Sequence, residues 1–380
     1  MAGVGVASDK GLMALVVAVL VMCGGGLFVT PAAAETLVPA VYVFGDSTVD
    51  VGNNQYLPGN LLYPLPLPYG MDLPHELRPT GRASNGYNVA DAISRLMGFN
   101  MSPPAYLSLA PEMSDEILRG FGGVNYGSGD SGILDKTGLN KSMPLAQQVG
   151  FFAATKSKMI EHAGDQGSVD EIERRVSESL FLISSGGNDM FEFLKSPVLL
   201  FYIQLATNYR KHLNTLYDHG ARRFGIVNVP PIGCVPALRN RSDTGACMEF
   251  ANNLSRNFNN NWLSVVMKNF AADPERPGIT YSVGNSYNMI TNFTADPEAA
   301  GFSEVASACC GDGRLGVNPW CHPGGAVCNN RTDHLYWDLA HSTDAAAHKG
   351  AALIFDAPVD WGFAAPINFR QLVSDGFSSI

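Results

Sequence analysis

Short apolar runs alternate along this chain with segments of helical periodicity, and each run ends in a glycine-rich or polar turn. The apolar runs lie at Val41–Phe44, Leu180–Ser185, Phe224–Val229 and Ile279–Val283. Strands that alternate with helices build a parallel sheet with helices on both faces. The order therefore predicts one α/β domain, a three-layer α/β/α sandwich with a mainly parallel sheet.

The segments between these runs carry apolar residues at helical spacing. The predicted helices are Val89–Met97 with a cap near Asn88, then Leu145–Met159, Val169–Ser179, Val198–Tyr217, Met248–Phe270 and Ala345–Phe355. Three stretches, 61–79, 121–135 and 291–332, are rich in proline, glycine or cysteine and are predicted to be irregular. The tail after Ala357 is predicted to be peripheral.

The first residues have the layout of an export signal. Lys10 is followed by the apolar stretch Leu12–Met22 and then by three alanines at 32–34, which form a small-residue cleavage site. We therefore expect residues 1–34 to be a signal peptide and residues 35–380 to form a single domain. The apolar stretch is too short to favour a membrane-spanning helix, so no transmembrane segment is expected. The mature protein is expected to be soluble and exported.

The charge of the chain restricts its partners. The formal net charge is -10, and lysine and arginine form no cluster. Binding to nucleic acid or to an anionic membrane depends on such clusters, so neither is expected as a partner. A neutral or weakly charged small molecule fits better, and the sequence leaves the oligomeric state open.

The cysteines suggest an oxidising compartment. Once Cys23 leaves with the signal peptide, the remaining ones are Cys234, Cys247, Cys309, Cys310, Cys321 and Cys328. Cys234 and Cys247 close a short loop and are predicted to pair, whereas the other four can pair in more than one way. The alternative is a zinc site formed by the last four with His322, but no C-x-x-C spacing supports it, and no metal is expected.

Six Asn-x-Ser/Thr sequons are further signs of export. They begin at Asn100, Asn140, Asn240, Asn253, Asn292 and Asn330. Each is a candidate glycosylation site if it is exposed in a secretory compartment. We expect only a part of them to be occupied.

Ser47 is the candidate nucleophile, because the first apolar run ends abruptly at this serine among turn-forming residues. Gly45 and Asp46 precede it, and Gly52–Asn54 follow closely. A buried strand that gives way to a loop is where sites form in open α/β sheets. The alternative is an Asp-Ser pair that merely caps a helix.

A serine hydroxyl needs a histidine to accept its proton, and usually a carboxylate to orient that histidine. His341 stands three residues after Asp338, directly ahead of a predicted helix. Residues three apart can lie on one face, so Asp338 can bind one ring nitrogen and leave the other for Ser47. A solvated aspartate with a capping histidine is the alternative, and the settings of His334 and His348 do not exclude them as bases.

Ester chemistry also needs hydrogen-bond donors for the oxyanion of the tetrahedral intermediate. The candidates are the backbone N–H of Gly129, the side-chain amide of Asn188 and the backbone N–H of Ser47 itself. Gly129 as a turn residue and Asn188 as the start of an Asx turn are the alternative readings.

The glycine-rich segment also matches the dinucleotide fingerprint G-x-G-x-x-G, with Gly127, Gly129 and Gly132. The fingerprint requires a strand before it and a helix after it. No buried strand is predicted to lead directly into this match, and 136–138 follow it as Lys-Thr-Gly instead of a helix. Nucleotide binding is therefore not expected, and no cofactor is expected.

Taken together, these motifs resemble the GDSL, or SGNH, hydrolase family, in particular its plant secreted esterase/lipase branch. The resemblance is carried by F-G-D-S-T-V-D-V-G-N-N at 44–54, G-V-N-Y-G-S-G-D-S-G at 123–132, G-G-N-D at 186–189 and D-x-x-H at 338–341, with T-G-R-A-S-N-G at 80–86 and V-P-P-I-G-C at 229–234. It implies a flavodoxin-like fold and covers most of the mature chain. It also implies that Ser47 is the nucleophile, His341 the base and Asp338 its orienting carboxylate, with Ser47, Gly129 and Asn188 as the oxyanion donors.

The chain departs from the family pattern at a few positions. Thr48 replaces the leucine of the family name, Gly127 and Asp130 stand where many plant members have alanine and glycine, and Ser342 follows the histidine where proline is common. Proline would stiffen the turn that holds His341, so a serine there is expected to loosen it.

The resemblance implies a secreted serine esterase or lipase that forms an acyl-serine intermediate. The substrate would be a small-molecule, lipid or acetylated-glycan ester, and the location outside the cell or in the vacuole. An acyltransferase or a polysaccharide O-deacetylase could use the same site. A non-catalytic wall or glycan-binding protein is the alternative of a different class.

Overall fold

The structure of the chain is a computed structural model that describes residues 36–59, 64–78, 80–109, 112–194 and 199–374. The predicted signal peptide, 1–34, lies outside these ranges. Within them, no helix combines the length and the apolar character needed to cross a membrane.

The strands form two sheets. Their bounds are β1 Ala40–Gly45, β2 Gly122–Asn125, β3 Leu180–Ser184, β4 Arg223–Val227, β5 Thr280–Gly284, β6 Glu304–Ala308, β7 His334–Tyr336 and β8 Ala364–Ala365. In the described residues, the central sheet has the order β2-β1-β3-β4-β5-β8, and β6 pairs with β7 in a small separate sheet. Every pair in the central sheet is parallel except β5 with β8. The predicted mainly parallel sheet is confirmed.

Helices flank the sheet. Their bounds are α1 Val89–Leu96, α2 Asp115–Leu118, α3 Leu145–Ala163, α4 Gln166–Glu178, α5 Gly187–Glu192, α6 Leu199–Asp218, α7 Pro236–Arg239, α8 Glu249–Phe258, α9 Ser264–Ala271, α10 Ser286–Ala295, α11 Asp344–Asp356 and α12 Phe369–Ser374. The central strands are buried along their whole length, because both faces of the sheet are covered. The three-layer α/β/α sandwich expected from the sequence is the observed fold.

Helix boundaries follow local chemistry. Asn88 caps α1 as predicted, and it forms a capping box in which Asp91 accepts the N–H of Asn88. The segment predicted as one helix over Met248–Phe270 comprises α8 and α9, joined by a π-helical turn at Asn259–Leu263. The side chain of Asn259 bonds both the N–H and the C=O of Val229 beyond β4, which gives this turn a role in holding the neighbouring loop.

The prediction that no buried strand leads directly into the G-x-G-x-x-G match at 127–132 was wrong, because β2 ends at Asn125, within the segment predicted to be irregular. Its glycines hid it from an apolar pattern, yet they are required by close packing: a Cβ on Gly123 would lie 2.0 Å from the carbonyl oxygen of Val41 on β1. The segment after β2 still runs on as a loop and turns, and the next long helix begins only at Leu145.

Two other segments are more regular than predicted. The stretch predicted to be irregular, 291–332, includes the end of α10 and all of β6. Residues 358–374, the described part of the tail after Ala357, are not peripheral, because β8 adds to the sheet and Phe369 is completely buried. Core packing of isolated apolar residues decides the position of this tail, and such residues give no periodic signal.

All six cysteines of the described chain form disulfides. Cys234 pairs with Cys247 as predicted. The four whose pairing the sequence left open form Cys309–Cys328 and Cys310–Cys321. These two bridges fix the loop between β6 and β7, which leads directly to the segment that carries His341.

Candidate active site

The site lies at the carboxyl ends of β1 and β3, where the strand order 2-1-3-4-5 changes direction and ligands bind in folds of this type. Gly45 ends β1 with a φ of 138°, and a Cβ there would lie 1.8 Å from the carbonyl oxygen of Ser184 on β3. Only glycine permits this approach. The side chain of Gln148 bonds both the N–H and the C=O of Gly45, at 2.8 and 2.9 Å, and so fixes the turn that presents Ser47.

The structure brings together residues that are nearly three hundred positions apart. The ring nitrogen Nε2 of His341 lies 2.8 Å from Oγ of Ser47. The other nitrogen, Nδ1, lies 2.9 Å from both carboxylate oxygens of Asp338. A hydrogen-bonded series therefore runs from the serine through the histidine to the aspartate.

Asp338 is buried and holds several hydrogen bonds besides that of the imidazole. The N–H groups of Ala340 and His341 donate to Oδ1 at 2.9 and 2.8 Å, and the hydroxyl of Tyr69 donates to Oδ2 at 2.7 Å. Tyr69 comes from the proline-rich stretch at 61–79, and no signal in the sequence pointed to it. Its hydroxyl holds Oδ2 of the carboxylate, whereas the two backbone N–H groups of the turn hold Oδ1.

The segment that carries His341 is held by its backbone. The N–H of Trp337 donates to the carbonyl of His341 at 2.7 Å, and Tyr336 and Ser342 face each other in an antiparallel bridge. Trp337 is completely buried. Backbone bonds therefore hold this turn in place, although Ser342 replaces the proline that is common there.

The charges at the site act on one another. Burial raises the pKa of Asp338 and lowers that of His341, but their mutual attraction and hydrogen bond outweigh burial for both groups. The pKa of Asp338 therefore lies below its usual value and that of His341 above. Asp46 and Asp130 also raise the pKa of His341, by smaller contributions than that of Asp338.

The glycine-rich loop after β2 is clamped by the residues that follow Ser47. The carboxylate of Asp50 accepts the N–H groups of Gly52, Asn53 and Gly129 at 2.7, 2.8 and 2.9 Å. The side-chain amide of Asn54 donates to the carbonyl of Gly129 at 2.9 Å. Burial raises the pKa of Asp50 to about 6, although these donors oppose the shift.

These bonds bear on the predicted oxyanion donors. The N–H of Gly129 is engaged by Asp50, so it could reach an oxyanion only by giving up that bond. The amide of Asn188 donates to the carbonyl of Ser131 at 3.0 Å, which orients the side chain at the rim of the site. Asp130, the residue after Gly129, has a φ of 65°, a conformation that favours glycine.

Asp189, next to Asn188, is a structural carboxylate that the sequence did not single out. It is completely buried and accepts the N–H groups of Ile133 and Leu134 and the hydroxyl of Thr137, at 2.8, 3.1 and 2.8 Å. Burial raises its pKa to about 6. It ties the start of α5, and with it Asn188, to the glycine-rich loop.

Two cavities meet at Ser47 and His341. One of them is called the polar cleft because Asp46, Asp130 and Arg241 lie in its wall with Asn188 and this pair. Apolar side chains form much of the rest of its wall, among them Phe191, Leu194, Ile232 and Leu339. The apolar cavity is lined mainly by carbon, including Val227, Pro231, Met289, Ile290, Ala347 and Ile354. Ser47 and His341 thus lie between a cleft with charged side chains in its wall and a cavity whose described wall residues include no Asp, Glu, Lys or Arg.

The other candidates lie apart from this pair. Nδ1 of His334 lies 2.7 Å from the carboxylate of Asp333, and Nδ1 of His348 lies 2.6 Å from the carboxylate of Asp344 on α11. Of the six sequon asparagines, Asn240 is half-buried and the other five are exposed. In the described part of the chain, no group of three or more His, Cys, Asp or Glu residues is arranged to hold a metal ion.

Most of the chain matches one family of known proteins. The family model for GDSL-like lipase/acylhydrolase matches residues 41–354. The chain is 34% identical over 350 residues to GDSL esterase/lipase At5g55050 of Arabidopsis thaliana, covering 89% of this chain and 90% of that protein. It is 34% identical over 323 residues to GDSL esterase/lipase APG of the same plant, covering 82% of this chain and 88% of that protein.

Proposed function

The chain belongs to the GDSL-like lipase/acylhydrolase family and is a carboxylic ester hydrolase, and on that premise we propose that it works through an acyl-serine intermediate at Ser47. His341 is the proposed base and Asp338 its orienting carboxylate. The observation that carries this proposal is the pair of short contacts on the two nitrogens of one imidazole, 2.8 Å to Ser47 and 2.9 Å to Asp338.

In the proposed acylation, Oγ of Ser47 attacks the ester carbonyl carbon while Nε2 of His341 accepts the hydroxyl proton. The tetrahedral intermediate then collapses, the bond from the carbonyl carbon to the alcohol oxygen breaks, and His341 gives its proton to the departing alcohol. The carboxylate of Asp338 favours the imidazolium that forms between these two steps, in line with its effect on the pKa of His341.

The oxyanion needs donors on the polar side of Ser47. We propose the Ser47 N–H and the second N–H of the Asn188 amide, since the first is used by Ser131. The N–H of Gly129 is still the predicted third donor. To bind the oxyanion, it would have to release the carboxylate of Asp50, to which it now donates. The side-chain amides of Asn53 and Asn54, which donate to the carbonyls of Gly127 and Gly129, position the loop for this role.

Water completes the proposed cycle. It loses a proton to His341 and attacks the acyl carbon, and the bond to Oγ of Ser47 breaks as the proton returns to that oxygen. Each step balances with the ester, water and these side chains. We expect the reaction to need no metal or organic cofactor.

We also propose that the mature protein is secreted. The support is the export-signal layout of residues 1–34, three disulfides and five exposed sequon asparagines. After expression in a eukaryotic secretory host, glycosidase digestion of the secreted protein should lower its apparent mass. N-terminal sequencing of the same protein should show a chain that begins near Glu35. A full-length, unglycosylated intracellular product would contradict this part of the proposal.

The test of the mechanism compares two serines of the same cleft. Ser47→Ala should reduce kcat for p-nitrophenyl esters by at least about a thousandfold, because the nucleophile is lost. Ser185→Ala is the matched control: Ser185 lines the same cleft, and its buried hydroxyl makes no hydrogen bond within the described chain. If Ser47→Ala kept its activity while folding normally, the proposed mechanism would be wrong.

A further inference from the structure

The apolar cavity beside Ser47 has one wall made of small residues. Ala346, Ala347, Gly350 and Ala351 of α11 all line it. Met289 and Ile290 of α10 form the facing part of the wall. Small side chains on one helix leave open the space that larger ones would fill, so the sequence of α11 helps to make the cavity.

We propose that this cavity binds the acyl chain of the substrate, and that the contact of Gly350 with Met289 limits the length of chain it accepts. The inference rests on the proposed reaction at Ser47, because it assigns the two halves of the ester around that residue. The substrates are then esters of apolar acyl chains with alcohols that can lie beside charged side chains.

The two compartments justify this assignment. A carbonyl carbon attacked by Ser47 carries an acyl chain on one side and an alcohol oxygen on the other. The polar cleft holds Asp130 and Arg241, which are half-buried and exposed, and their charged groups would lose hydration against a buried hydrocarbon. The apolar cavity offers no such groups in its wall around Met289, and burying methylenes there is favourable.

Gly350 decides how far Met289 retreats from the cavity. A Cβ added at Gly350 would lie 2.4 Å from Sδ and 2.7 Å from Cε of Met289, so the end of that side chain rests directly on the helix backbone. Methionine is flexible and can change rotamer at little cost. An alanine at 350 would therefore push the thioether away from α11 and into the space that both residues line.

The experiment uses Gly350→Ala, which also replaces a helical glycine by the best helix former and so should fold well. We expect the ratio of kcat/KM for p-nitrophenyl octanoate over butyrate to fall by about tenfold, as when a pocket excludes one methylene or more. Gly150→Ala is the matched control, because Gly150 lies in α3 and a Cβ there meets nothing within 4 Å. It should leave the ratio unchanged.

The reverse change should have the reverse effect. Met289→Ala widens the cavity and should raise the same ratio by about tenfold. Met267→Ala is its control, since Met267 is fully buried on α9 and does not line the cavity. A loss of stability common to both methionine variants would then be separated from a change in acyl preference.

The outcomes are distinct. An unchanged ratio in both Gly350→Ala and Met289→Ala, with activity that still depends on Ser47, would overturn this inference and leave the proposed function intact. So would a change that followed the length of the alcohol in a series of alkyl acetates instead of the acyl chain. Absence of Ser47-dependent hydrolysis for every ester would instead refute the proposed function.

Discussion

The hydrogen bond from Tyr69 to Asp338 allows a quantitative test, because both groups are buried and water cannot readily replace it. The tyrosine hydroxyl donates to Oδ2 at 2.7 Å, and the residues are 5% and 2% exposed. A hydrogen bond to a charged acceptor contributes about 1.5–3 kcal/mol. We therefore expect Tyr69→Phe to lower the free energy of unfolding by that amount at pH 7, measured by urea denaturation.

The same variant should affect catalysis. The backbone donors to Oδ1 remain, but Oδ2 keeps only the imidazole, so Asp338 and with it His341 are held less firmly. We expect kcat to fall by about tenfold, which corresponds to about 1.4 kcal/mol in the barrier. Tyr42→Phe is the matched control: the Tyr42 hydroxyl is buried without a hydrogen bond in the described chain, so its removal should be neutral or stabilising.

The loss of stability caused by Tyr69→Phe should depend on pH. The bond favours ionised Asp338, whose pKa lies below the usual value of about 3.9. The stability it provides is therefore fully present at pH 7 and is lost as the pH falls through the folded-state pKa. The deficit of Tyr69→Phe should shrink below about pH 4. An equal deficit at all pH values, or none at pH 7, would refute the reasoning.

Two other changes have expected results. Asp130→Asn removes a negative charge that raises the pKa of His341. The acid limb of the plot of kcat/KM against pH, where the imidazole loses its proton, should therefore move to lower pH by less than about one unit. A shift to higher pH would contradict this. Arg82→Met breaks a buried ion pair with Asp91, whose Nε–Oδ2 distance is 2.7 Å, and should cost about 3–5 kcal/mol in urea denaturation. The exposed Arg174→Met should cost less than about 1 kcal/mol, and similar losses for both would show that burial does not decide the effect.

The parts of this molecule that the sequence predicted are those with a local signal. Apolar runs gave β1, β3, β4 and β5, and Asn88 gave the start of α1. Asp338 and His341 were selected as candidates from the chemistry that a serine nucleophile requires, because they stand three residues apart ahead of a helix. Their distance from Ser47 in space, however, depends on the folded chain, and only the resemblance to a family suggested it.

The parts that were missed depend on long-range contacts. Tyr69 lies in a proline-rich stretch without periodicity, and its hydrogen bond to Asp338, far along the chain, cannot be inferred from that stretch. The strand β2 is built on glycines that close packing requires, and the tail at Phe369 is placed by core packing alone. Likewise, the sequence did not indicate that the N–H of Gly129 donates a hydrogen bond to Asp50, as it does in the folded chain.

The most direct test of the account is to identify the residue that an active-site probe modifies. A fluorophosphonate should label the protein stoichiometrically and abolish ester hydrolysis, and peptide mapping by mass spectrometry should place the adduct on Ser47. The account further predicts that His341→Ala, which removes the proposed base, slows labelling severely. An adduct on any other residue, or complete labelling of Ser47 with hydrolysis unaffected, would contradict the central claim.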